Sequence, residues 1–157
     1  MSKPLRILTI DSKKDEKVLR TPSKDVTLEE IGSEEFQKFL ENLLLTAKLS
    51  EEPAGGIAAS QVGVNKNVFF LLNYDTNEWE VFINPEVEPI GFVKTSVEES
   101  CLSVPNVEEE VLRYKNIKIK YLNRVGKKRT KKYQDLNAVT IQHEKDHLDG
   151  ILFIDRI

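Results

Sequence analysis

The stretch Val139-Thr-Ile-Gln-His-Glu-Lys-Asp-His-Leu-Asp-Gly150 constrains this chain more than any other, because it holds both of the histidines in the sequence. His143 and His147 stand four residues apart. On a helix that spacing puts both imidazoles on one face, where they can close on a single cation. Glu144 lies one step round the helix from the first of them. A carboxylate there is poorly placed to be a third ligand on the same face, yet it reaches a water held by the cation. Periodicity agrees with a helix: Leu136, Val139, Thr140, His143 and His147 recur along one side of a segment starting near Asp135, and Gly150 is a suitable stop. Such a face, apolar at one end and imidazole at the other, suits a ligand-binding helix through the middle of a small domain, with a hydrophobic pocket beside the metal.

Two imidazoles alone hold a cation weakly, so a third ligand is required. The candidates are the carboxylates and Cys101, the single cysteine of the chain. No intramolecular disulfide can form, which suits a reducing compartment. A lone cysteine is commonly a small buried hydrophobe. Beside the His-Glu-x-x-His stretch the ligand reading is preferred, because Cys-His-His leaves one position open for water, as catalytic sites do. Two other readings remain open from the residues alone. One is a zincin-like peptidase with a distant carboxylate as third ligand; the other is a metal-stabilised binding domain, which lacks an evident fourth protein ligand.

The 157 residues fit one domain, 1–157, and the 39% hydrophobic and 31% charged fractions are ordinary for a soluble protein. A net charge of −3 argues against a general polyanion binder. The basic run Lys127 to Lys132 reads as the solvated limb of a hairpin, with RNA contact as its alternative. The apolar run near the amino terminus is shorter than a signal-peptide core, and no uninterrupted apolar span is long enough to cross a bilayer. The expected location is cytoplasmic, with no membrane partner.

Along the chain, Leu5 to Ile10 reads as a short strand or extended arm, and Asp11 to Lys17 as a charged loop. Ser33 offers an N-cap to a helix ending near Ser50, whose apolar stripe is Phe36, Phe39, Leu40, Leu43, Leu44 and Ala47. Small residues from Ala54 to Gly63 let another backbone or a ligand approach closely. Val68–Leu72 and Glu80–Asn84 read as antiparallel strands, with Pro85 and Pro89 limiting the second. A further strand is expected around Phe92 to Ser100, and Ile117–Tyr121 pairs with Lys127–Tyr133 across the turn Asn123–Gly126. The predicted class is α+β, with antiparallel strands packed around a central C-terminal metal-binding helix and one earlier amphipathic helix.

Three stretches, Gly56-Ile-Ala-Ala-Ser-Gln61, Glu99-Ser-Cys-Leu-Ser103 and Gln142-His-Glu-Lys-Asp-His147, match in order the signature motifs of the peptide deformylase family. Phe82-Ile-Asn-Pro85 is similar to that family's strand between the first two, and the resemblance runs from about Leu5 to Ile157. It implies a hydrolase that removes formate from the formylmethionine beginning newly made polypeptides. Cys101, His143 and His147 would hold one divalent ion, Fe(II) in the family, replaceable by zinc, nickel or cobalt. Glu144 would carry the proton, while Gln61 and the backbone N–H of Leu102 would meet the oxyanion. By the same correspondence the methionine slot is lined by Gly55, Gly56, Leu136, Val139 and His143, and Gly56 and Ile57 pair with the extended peptide. Glu99 also borders the substrate, and it forms with Arg113 an ion pair that steadies the cysteine-bearing strand. Ala54 and Ser100 stand where the family usually has glycine; a positive φ at either would strain the cleft wall. The sequence stops at Ile157 without the helical extension by which many bacterial members dock on the ribosome. In this it resembles short deformylases encoded by phages, which implies the host cytoplasm if it is phage-encoded, with the ribosome a partner only by another route; a monomer is expected.

Overall fold

The computed structural model describes residues 2–157. In chain order the elements are α1 (Lys13–Leu19), α2 (Leu28–Ile31), α3 (Glu34–Lys48), β1 (Gly56–Ala58), a 3-10 turn (Ala59–Val62), β2 (Val68–Leu72), β3 (Trp79–Pro89), β4 (Lys94–Cys101), β5 (Val104–Tyr114), β6 (Asn116–Leu122), β7 (Lys128–Gln134), α4 (Asp135–Leu148) and a final 3-10 turn (Phe153–Arg156). Antiparallel pairing arranges five strands as β1-β2-β3-β6-β7, and β4 and β5 form a separate two-stranded sheet. The class is the α+β expected.

Strand alternation divides the core into two faces of the larger sheet. Val68, Phe70 and Ile83 turn to α3, where they meet Phe36, Leu40, Leu43 and Ala47. Phe69, Leu71, Phe82, Ile117 and Ile119 turn the other way, onto Ala138, Ile141 and Leu148 of α4. The metal-motif helix is thus held against the sheet's centre by its own apolar residues. A third cluster, of Leu8, Leu19, Val104, Val111, Leu152 and Phe153, joins both ends of the chain to β5. Each fully buried Leu, Ile or Phe contributes roughly 1.5 to 3 kcal/mol before entropy is subtracted.

Helix α3 begins as the sequence requires: the Ser33 hydroxyl accepts from Phe36 N–H at 3.2 Å. The amino-terminal residues form an extended arm, with Leu8 N–H donating to Gln61 O at 2.7 Å and Ile10 N–H to Ser103 O at 3.0 Å.

Four expectations need correction. The charged segment read as a loop contains α1, capped by Ser12, because Asp15 is neutralised at a distance by Arg6 (2.8 and 3.1 Å) and Leu19 is fully buried. Three helices precede α4 rather than one. Strand β3 runs on through Pro85 to Pro89, because the register shifts between Ile83 and Glu86 and β2 pairing stops at Ile83, so the proline removes no ladder bond. Strand β5 was not foreseen, since its glutamate-rich centre faces solvent and lacks an alternating apolar row.

Candidate active site

Cys101 closes β4, while His143 and His147 lie on α4, and the ligand atoms of the three converge within 4.8 Å of one another. Cys101 Sγ is 3.2 Å from His147 Nε2. The two imidazoles meet edge to face at 5.0 Å, and Phe153 stacks on the His143 ring. Both histidines are buried, and Cys101 is half-buried on the wall of a cleft.

The outer nitrogen of His143 decides how its ring is used. Nδ1 is 2.8 Å from Glu99 Oε1, so the carboxylate accepts the Nδ1 proton and Nε2 is left as a ligand atom. Glu99 itself is gripped by Arg113 through Nε and Nη2 at 2.8 and 2.9 Å. Arg113 reaches Asp146 as well, and Arg156 closes on that carboxylate from outside at 2.8 Å. Burial raises the Glu99 pKa, but Arg113 and His143 outweigh it and hold the group anionic. Burial likewise opposes a proton on His143, yet Cys101 and Glu99 together raise its pKa well above the usual range, while His147 is driven well below it by burial. With the Nδ1 of His143 turned to Glu99, its Nε2 faces the Cys101 sulfur and the His147 ring, and this soft donor set fits a divalent metal ion.

Glu144 is buried beside the rings, and its Oε1 has no hydrogen-bond partner. Burial pushes its pKa up to about 7, against the partial relief of His143. Gln61 is fixed by three contacts. Its Oε1 accepts from Ala58 N–H at 3.0 Å, and its amide nitrogen donates to Ser103 Oγ at 3.2 Å and weakly to Cys101 Sγ at 3.6 Å.

Of the residues singled out from sequence, Gly55, Gly56, Gln61, Glu99, Cys101, Leu102, Leu136, Val139, His143 and Glu144 line this one cleft. Ile57 is fully buried in the α3 cluster, so only its backbone faces a peptide. Leu136, read on the inner side of the helix, is 43% exposed at the cleft rim. Neither Ala54 nor Ser100 has a positive φ, so neither departure from glycine strains the backbone. Gly56 is the glycine that matters, since a Cβ there would stand 2.8 Å from both Glu144 Oε2 and Phe70 O. Asp146, Ser103 and the cleft-lining Tyr74, Val97 and Thr140 were not assigned from sequence. Asp146 and Ser103 lie inside the signature motifs and Thr140 on the histidine-bearing side of the helix, which are the signals the sequence offers for them.

A sequence model described as polypeptide deformylase matches residues 5–157. The chain belongs to the polypeptide deformylase family. A peptide deformylase of Fusobacterium nucleatum is 40% identical over 142 residues, covering 90% of this chain and 79% of that one. One of Pseudomonas aeruginosa is 40% identical over 138 residues, covering 87% and 79%. Among solved structures, the Met-Ala-Ser-bound class I type b peptide deformylase of Acinetobacter baumannii superposes with a TM-score of 0.89 at 30% identity, over 100% of each chain. That of Thermotoga maritima gives 0.86 at 34% identity, over 98% and 97%. As a deformylase, the protein is a metal-dependent hydrolase that removes the formyl group from the amino-terminal formylmethionine of nascent polypeptides and releases formate.

Proposed function

We propose that Cys101, His143 and His147 hold a single Fe(II) and that Glu144 carries the proton in deformylation. The observation that carries this reading is Glu144 itself: a buried carboxylate with an unpartnered oxygen, next to three converging metal donors. Leaving a buried carboxylate oxygen unpaired costs stability, and a water and a substrate nitrogen are what it lacks.

When bound, the metal supplies Lewis acidity that polarises the formyl carbonyl and acidifies the attacking water. Glu144 takes the proton from that water and delivers it to the departing amine nitrogen. The amide of Gln61, swinging off its long contact to Cys101, and the Leu102 backbone N–H donate to the oxygen as it becomes anionic. Gly55, Gly56, Leu136, Val139 and His143 form the methionine slot. Strand β1 is an edge strand with β2 as its partner, and its free side at Gly56 and Ile57 offers backbone groups to an extended peptide, as β-augmentation requires. Glu99, gripped by Arg113, holds the His143 ring and borders the substrate on the wall of the same cleft. The single cysteine is free, as suits the reducing cytoplasm in which the protein would act.

Formate release from formyl-Met-Ala-Ser, measured before and after chelation and again on reloading with Fe(II), tests the assignment. Loss on chelation and recovery on reloading are expected, with neither metal retention nor activity in Cys101→Ser. A Cys101→Ser protein that keeps its metal and full activity would mean another third ligand and a peptidase-like site.

A further inference from the structure

We propose that Tyr74 is a specificity-determining residue for the thioether of the substrate methionine, an inference that rests on the slot assigned above. The slot has a gap in its wall, because Gly55 contributes no side chain. Tyr74 closes it from the β2–β3 loop: its hydroxyl lies 3.2 Å from where a Cβ on Gly55 would stand, and Thr140 Cγ2 is 3.9 Å from the same point.

The loop does not leave this residue to drift. Asn73 Oδ1 accepts from Asp75 N–H at 2.8 Å and Thr76 N–H at 3.2 Å, folding the turn on itself. Buried Asn137, in the first turn of α4, accepts from Tyr74 N–H at 2.8 Å and donates back to Asn73 Oδ1 at 3.1 Å. The backbone of Tyr74 is thereby tied to the helix that carries Leu136, Val139, Thr140 and His143. The residue lines the same cleft while remaining 54% exposed, next to a Leu136 that is 43% exposed. An aromatic and a leucine fixed at the mouth of an apolar slot form a surface that a bound side chain covers.

The chemistry of the ring distinguishes methionine from a hydrocarbon of the same length. A thioether sulfur is polarizable and gains from an aromatic edge about 5 Å away, a contact a methylene does not reproduce. The ring contact acts in the ground state and the transition state alike, so its contribution falls on KM rather than kcat.

The test compares kcat/KM for formyl-Met-Ala-Ser with that for formyl-norleucyl-Ala-Ser, in the metal-loaded parent and in Tyr74→Phe and Tyr74→Leu. The expected result is a preference for methionine that falls about twofold to tenfold in Tyr74→Leu, through KM, and is kept in Tyr74→Phe. A general loosening of the slot would slow both peptides together and leave the ratio alone. An unchanged ratio in Tyr74→Leu, or no methionine preference in the parent, overturns the inference. Absence of formate from both peptides with the parent would instead overturn the reading on which it rests.

Discussion

Gly56 lies so close to Glu144 that a methyl group on its α-carbon would stand 2.8 Å from Glu144 Oε2. The same methyl would stand 2.8 Å from the carbonyl oxygen of Phe70, to which β1 is paired through Ile57. A Gly56→Ala chain has only two remedies, to push the carboxylate aside or to peel β1 from β2. Both move a group that the reaction uses, and a misplacement near 1 Å costs on the order of 10²-fold in rate. The expected outcome is a fall in kcat/KM of about that size, with the metal content of the purified protein unchanged. Wild-type kinetics in Gly56→Ala would refute the close approach.

Glu144 is costly to the fold that needs it. Burial lifts its pKa from 4.5 to about 7. For an acid with a raised pKa the sign is a penalty: it vanishes below the unfolded value, grows as pH rises from there to the folded value, and is constant above it. At about 1.4 kcal/mol per pH unit the full penalty is on the order of 3 kcal/mol. Metal-free Glu144→Gln should therefore be more stable than metal-free parent above pH 7, with the two converging towards pH 4.5, while formate release by the metal-loaded variant is lost. Denaturant midpoints of both metal-free proteins across that window are the measurement. Parallel stability profiles would show that Glu144 is not desolvated.

What the sequence discloses is what local spacing controls. The Ser33 cap, the stripe of α3, the β6–β7 hairpin and the pairing of His143 with His147 all follow from residues a few positions apart. Helix α1 stayed hidden because its Asp15 is paired with Arg6 in the arm, and β5 because its glutamates point to water on a two-stranded sheet. Cys101 could be chosen by elimination and by motif resemblance, but its 3.2 Å approach to His147 is a product of tertiary packing. Tyr74 gave no signal at all, since its place in the cleft depends on Asn137, 63 residues further on.

Arg113 joins Glu99 on β4 to Asp146 inside the metal motif of α4, and its side chain is 3% exposed. Arg113→Leu would leave Glu99 buried without its cation, a change that costs about 3 to 5 kcal/mol. Glu99 would then relax its hold on His143 Nδ1, and loss of such an outer partner typically weakens metal binding about 10- to 100-fold. Chemical denaturation and chelator competition read the two effects separately. The half-exposed pair Arg20–Asp155 is the control, where Arg20→Ala should cost only ~0 to 1 kcal/mol.

The identity of the metal has a consequence for lifetime in air. Cys101 is half-buried on the cleft wall, so oxygen reaches the sulfur along the path open to substrate. With Fe(II) beside a thiolate, oxygen reduction generates the oxidants that carry cysteine to sulfenic and then sulfinic acid, and an oxidised sulfur no longer serves as a thiolate ligand. Nickel in the same three-donor site does not start that cycle. The Fe(II) protein should lose formate-releasing activity progressively under air, in step with oxygen added at Cys101 by mass spectrometry, while the nickel form stays active. Equal lifetimes under oxygen, or inactivation with Cys101 unmodified, would place the vulnerable group somewhere other than this sulfur.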